Sequence, residues 1–158
     1  MSVFKPSALA LQAGAGHYAV LASRFNHHIV ERLVAGCDAE LRRLGVAHDR
    51  IETRWVPGAF ELPLVAKTLA ETGRYAAIVC LGCVIRGDTD HYVHVCEAAA
   101  RGILEAGLAT GVPIIFGVLT CATEAQAVER CGGRHGNSGI DAAQAAVEMA
   151  ALLANLNG

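Results

Sequence analysis

The chain is short of charge, aromatic rings and proline. Charged residues make up 18% of its 158 positions, aromatic residues 5%, and there are only 4 prolines. Disordered chains have the opposite balance, rich in charge and poor in apolar side chains, so a sequence that is 53% apolar is not one of them. The net charge of −2 gives no electrostatic reason to expect nucleic acid or an anionic membrane surface as a partner. No apolar run approaches the ~18 residues of a membrane span. The first residues lack the pattern of a secretory signal, which makes the cytosol the expected compartment. Cysteine is not scarce: there are 6. They lie inside apolar runs of a mid-sized chain, which favours free buried thiols over a disulfide frame.

What is present suffices for one domain with a proper core. The high apolar share also points to buried contacts between subunits. Four runs rich in Val, Ile and Leu occupy 17–23, 51–57, 75–85 and 112–120, and each precedes a stretch with helical spacing. After the first run, Ile29, Leu33, Val34, Cys37, Leu41 and Leu44 recur at that spacing, and Gly45 reads as a stop. Gly73 and Gly111 close the next two helices in the same way. The fourth run leads to EAQAVERCGG and then, past a glycine-rich hinge, to GIDAAQAAVEMAALLANL. Strands alternating with helices predict an α/β fold, a four-stranded parallel sheet covered on both faces. Runs three and four are almost continuously apolar and are expected to be central strands. Run two carries Glu52 and Arg54 and is expected at an edge. Residues 1–16 contain Pro6 and show no periodicity. They read as a loose arm or a strand lent to a neighbouring subunit, leaving 17–158 as a single domain. Pro6 would limit any such pairing.

In open α/β sheets ligands bind beyond the carboxyl ends of the strands. Those ends are SRFN (23–26), VPGAFELP (56–63), VIRGDTDH (84–91) and GVLTCATEAQ (117–126), and the chain's unusual residue types gather there. In VIRGDTDH, Gly87 permits a tight turn, and Asp88 or Thr89 can cap the next helix. A helix start of this kind is also an anion site. Read alone, a plain cap is the simpler reading, and Asp88 disfavours an anion at that point. An Arg-Gly-Asp adhesion signal does not suit a strand–helix corner. Asp88, Asp90, His91 and His94 raise a metal as a rival, but no further Cys or carboxylate motif completes a known signature. A histidine at the ligand rim serves better as a proton-transfer group, because histidine ordinarily titrates near ~6.5. His94, His27 and His28 read as surface residues. Cys80 and Cys83 form a CxxC pair on paper, yet positions three apart on a strand face opposite sides, so they make neither a chelate nor a redox pair.

Glu61 opens a helix beside Phe60, where a carboxylate is favourable by ~0.3–1 kcal/mol without any ligand. Its sharper reading is an acceptor for ligand hydroxyls. Phe25 is either a core ring or a stacking face for a flat heterocycle. Arg130 is either a surface arginine favoured by the helix dipole or a fork for phosphate. A nucleotide-binding domain on the same rim would need a glycine-rich fingerprint after the first strand, where this chain has SRFNHH.

Taken in order, SRFN, VPGAFELP, LGCVIRGDTDHYVHV, FGVLT, QAVER and GRHGNSG closely resemble the lumazine synthase family over about residues 15–155. The resemblance implies a flavodoxin-like three-layer sandwich and no metal or organic cofactor. It implies condensation of 5-amino-6-(D-ribitylamino)uracil with 3,4-dihydroxy-2-butanone 4-phosphate in riboflavin biosynthesis. Phe25 would then stack on the pyrimidine with Asn26 beside it. Gly58, Ala59 and Glu61 would hold the ribityl chain, and Val84 and Ile85 would meet the heterocycle through their backbone. Gly87, Asp88 and Thr89 would form the phosphate turn, and His91 would be the general acid–base. Phe116 and Arg130 would come from the neighbouring subunit of a homo-oligomer, a pentamer with sites between subunits. The short GGRHGN connection goes, in the family, with shells of sixty subunits, for which riboflavin synthase is a candidate enclosed partner. A non-catalytic flavin- or lumazine-binding shell protein is the alternative. Ser138 and Arg134 stand where lysine is frequent in the family, and Tyr92 where phenylalanine is usual. Arg86 receives no chemical role and is expected to pair with acids at the subunit boundary.

Overall fold

The computed structural model describes residues 11–158. Four strands form a parallel sheet: β1 (His17–Ser23), β2 (Ile51–Val56), β3 (Tyr75–Ile85) and β4 (Ile114–Cys121), in the order β2-β1-β3-β4. Helices α1 (His27–Arg43), α2 (Leu62–Glu71) and α3 (His91–Thr110) follow the first three strands. After β4 come a short α4 (Glu124–Arg130), strands β5 (Cys131–Gly133) and β6 (Gly136–Asn137), and the last helix, α5 (Ser138–Asn157). Helices cover both faces of the sheet, so the chain has the expected flavodoxin-like α/β architecture. Among the described residues no helix is long and apolar enough to cross a membrane.

Strand alternation explains the continuous apolar runs. On β3, Ala77, Val79, Leu81 and Cys83 point into one core with residues of α1 and α5. Ile78 and Cys80 point into a second core with residues of α2 and α3. A strand buried on both faces has no position left for polar side chains. Cys80 and Cys83 thus lie in different cores, as their spacing requires. All six cysteines are free thiols, and five of them are buried.

Small residues let the outer helices approach closely. Ala142, Ala143 and Ala146 on α5 are buried against α1, and a Cβ at Gly139 would lie 2.0 Å from the Leu33 carbonyl oxygen. Gly45, Gly73 and Gly111, the three expected stops, take φ of 100°, 72° and 71°, the left-handed backbone that ends helices.

Two expectations need correction. β2 lies at an edge as expected, but β4 is the other edge, not a central strand. It reads as central because α3 and α5 pack against it, so its side chains are partly covered although one rim of its backbone is unpaired. The glycine-rich hinge is an antiparallel two-stranded hairpin, Cys131 opposite Asn137. Asn137 then caps α5, its side chain accepting from the Gly139 N–H at 2.8 Å.

Pro6 lies outside the described residues. The described part of the expected arm, residues 11–16, is held to the domain: Ala13 N–H donates to the Leu44 carbonyl at 2.8 Å, and Arg50 donates to the carbonyls of Gly14 and Gly16.

Candidate active site

The carboxyl ends of β1, β2 and β3 open into one cleft of about 430 Å³. Phe25 and Asn26 enter it from the end of β1, and Gly58, Ala59, Phe60 and Glu61 from the corner after β2. Cys83, Val84 and Ile85 come from β3, and His91 and Val95 from the first turns of α3. The fold therefore gathers eight of the thirteen expected site residues into one wall.

Asn26 organises the first corner. Its φ of 57° makes it the one non-glycine residue with left-handed backbone among the described residues. Asparagine tolerates that conformation better than most residues. Its carbonyl accepts from Ile29 and Val30 and starts α1, while its side-chain amide donates to the Cys83 carbonyl at 2.9 Å. The corner is further tied to β2 by Arg24 N–H to Val56 (2.9 Å) and Phe25 N–H to Pro57 (3.2 Å). With its backbone held on two sides, the Phe25 ring is left 71% exposed at the mouth of the cleft. A core ring would be buried, so the exposed ring fits a stacking face.

The second corner is equally fixed. Gly58 N–H donates to Glu61 Oε2 at 3.0 Å across a one-turn 3₁₀ helix, Ala59–Glu61, that leads into α2. The N-terminal end of a helix favours the carboxylate there. Only glycine fits at 58 without a shift: a Cβ would lie 3.1 Å from Glu61 Oε2 and 3.2 Å from Phe25 Cδ2. One Glu61 oxygen is thus taken by the Gly58 N–H, and the residue lines the cleft.

Glu61 and His91 are the ionisable groups of the cleft wall apart from Cys83. Burial, and then the neighbouring Cys121 and Cys131, push the Cys83 thiol up to about 12. It stays protonated at neutral pH and is no nucleophile.

Gly87, Asp88 and Thr89 form an exposed turn that joins β3 to His91 but does not line the cleft. Neither Asp88 nor Thr89 is the N-cap of α3. Asp90 takes that position and makes no side-chain capping bond, while Thr89 Oγ1 accepts from His91 N–H at 3.4 Å. The expected cap sits one residue late because the turn runs on to Asp90 before the chain becomes helical.

Phe116 and Arg130 are not in this cleft. Phe116 stands 44% exposed on β4, and Arg130 ends α4 with its guanidinium donating to the Gln126 carbonyl at 2.9 Å. The histidines read as surface residues are exposed and two have local partners. His27 stacks on Trp55 at 4.8 Å, and His28 Nε2 lies 2.6 Å from Glu124 Oε1. Among the described residues no three His, Cys, Asp or Glu side chains converge as a metal site. Within the chain Arg86 meets a ring, not an acid: its guanidinium lies over Tyr92.

Phe60, Cys83 and Val95 line the cleft without having been expected there. Val95 was detectable, since it follows His91 by one helical turn. Phe60 carried no signal beyond being adjacent to Glu61.

A sequence profile of the 6,7-dimethyl-8-ribityllumazine synthase family matches residues 16–154. The chain belongs to that family. The match spans every residue of the cleft. The family's work is lumazine synthesis in riboflavin biosynthesis, a transferase reaction, and its members form oligomers.

Proposed function

We propose that this chain joins 5-amino-6-(D-ribitylamino)uracil to 3,4-dihydroxy-2-butanone 4-phosphate, forming 6,7-dimethyl-8-ribityllumazine. The observation that carries the reading is the cleft itself. An exposed aromatic face (Phe25), a braced carboxylate (Glu61) and a histidine (His91) share one pocket with Val84 and Ile85 at the end of β3.

Each part answers a chemical need. The flat pyrimidine stacks on Phe25, and its polar edge meets the backbone at Val84 and Ile85. Glu61 accepts from ribityl hydroxyls beside Gly58 and Ala59, with Asn26 holding the corner. The amine of the uracil attacks the ketone, and water leaves as the imine forms. Elimination then expels phosphate, and closure of the second ring expels a further water. These steps move protons near neutrality, which suits His91 as acid and base. The departing phosphate needs fixed donors, supplied by the Gly87–Thr89 turn and by a cation. Arg130 fills that role from a neighbouring subunit, with Phe116 closing the pyrimidine pocket. Their position away from their own chain's cleft supports this reading. It makes the working unit an oligomer, a pentamer assembled here into a shell. Much of the acceleration then comes from holding two reactants together.

The decisive assay mixes purified protein with both substrates and follows lumazine absorbance and phosphate release. Rates no faster than the spontaneous reaction would end the proposal. His91→Ala should lower turnover by about 10²-fold, and Arg130→Ala should chiefly raise KM for the phosphorylated ketone. Mixed oligomers of the two variants should regain part of the activity, because some sites then receive both intact residues.

A further inference from the structure

The turn between β3 and α3 is short of ordinary support. Residues 86–91 are all exposed, and α3 begins without a side-chain cap. The bond from His91 N–H to Thr89 Oγ1 is long, 3.4 Å. A helix start with unfilled donors tends to fray.

Arg86 supplies a different fastening. Its N–H donates to the Cys121 carbonyl at 2.9 Å, which ties the exit of β3 to the end of β4. Its guanidinium carbon lies 5.1 Å from the centroid of the Tyr92 ring, a cation–π distance. Tyr92 is the neighbour of His91 on the first turn of α3. The two ends of the turn are therefore joined to each other, and the first of them to β4.

We propose that Arg86 is a positioning residue: clasped over Tyr92, it closes the 86–92 turn and so sets where the Gly87–Thr89 backbone and the His91 imidazole stand. The inference rests on the reading of those groups as phosphate turn and proton carrier. Small displacements of such groups cost rate steeply. Arg86, strongly basic and exposed, is thus turned towards the fold instead of the ligand.

The test uses Arg86→Ala, Arg86→Lys, Tyr92→Leu and Tyr92→Phe in the full chain. Steady-state kinetics with both substrates, amide hydrogen exchange and thermal melting are measured for each. Arg86→Ala should raise KM for the phosphorylated ketone and lower kcat, each about tenfold. Tyr92→Leu should reproduce that pattern. Arg86→Lys keeps a cation and Tyr92→Phe keeps a ring face, so both should stay within about threefold of wild type. Exchange at amides 89–93 should quicken in the Arg86→Ala and Tyr92→Leu proteins alone, with the melting midpoint unchanged. A lowered midpoint with unchanged KM would overturn the proposal in favour of a merely structural role. So would wild-type kinetics and exchange in Arg86→Ala. Damage from Arg86→Ala with a silent Tyr92→Leu would also overturn it, since Arg86 would then act on the ligand directly. If the wild type made no lumazine, the functional reading would fail, and the exchange measurement would still decide the clasp.

Discussion

The side-chain amide of Asn26 donates to the main-chain carbonyl of Cys83 at 2.9 Å, joining positions 57 residues apart. That bond fastens the corner after β1 to the floor of the cleft. It also explains an asparagine with left-handed backbone at this point. Asn26→Ala loses the bond and places a Cβ-bearing residue without local hydrogen bonding at positive φ, so it should cost about 2 kcal/mol. Asn26→Gly loses only the bond and should cost about half as much. Urea unfolding checks both values, and equal losses would mean that the backbone conformation carries no strain.

Phe25 separates binding from stability. Its ring is 71% exposed, so Phe25→Ala should change unfolding free energy by no more than about 0.5 kcal/mol. Binding of a pyrimidine substrate or product should nevertheless weaken by about tenfold, the loss of a stacking face. Titration followed by fluorescence, alongside urea unfolding, reads the two effects. A large stability loss with unchanged affinity would make Phe25 a packing residue.

At Gly139 the start of α5 lies close against the backbone of α1. A Cβ there would lie 2.0 Å from a carbonyl oxygen of the backbone, which cannot rotate away as a side chain can. Gly139→Ala should therefore destabilise by about 3 kcal/mol, despite alanine's higher helix propensity. An unchanged melting midpoint would show that the helices move apart at little cost.

Glu40 gives the fold an acid-sensitive element. Its carboxylate is buried on α1, accepts from Arg43 at 2.8 and 2.7 Å, and accepts from Gln144 of α5 at 2.8 Å. The Arg43 hydrogen bonds, aided by Gln144 and opposed by burial, hold Glu40 below the usual carboxylate range. A carboxyl with a lower pKa folded than unfolded stabilises the chain above the unfolded value, near ~4.3. That contribution is lost as pH falls through the folded value. Glu40→Gln should thus be less stable at pH 7, by on the order of 1 kcal/mol. From about pH 5 downward the wild type should lose its advantage. Urea midpoints measured across pH test this, and parallel curves for the two proteins would refute it.

Much of the candidate site was legible because its signals are local. Pro57-Gly58 after β2 and the polar residues around Phe25 after β1 interrupt apolar runs at strand ends, and a parallel sheet brings such ends to one rim. Phe60 was not legible, since nothing in the run GAFELP tells an exposed ring from a buried one. The cap of α3 is ambiguous in the sequence for a similar reason: Asp88, Thr89 and Asp90 are all competent caps, and the length of the turn decides among them. The β5–β6 hairpin hid in a glycine-rich segment, because two- and three-residue strands are too short to show period-two alternation.

The sequence by itself determined the alternation of strands and helices, the glycine stops and the free thiols, and the strand ends it marked are the ones that meet at the cleft. These follow from periodicity, backbone freedom and burial, which act over a few residues. Only the tertiary structure decided that β4 is an edge, that Asn26 braces Cys83, and that Arg86 lies over Tyr92. Those depend on which distant segments meet. Side-chain spacing along one strand cannot encode it, because an edge strand covered by helices on both faces has the same apolar pattern as a central one.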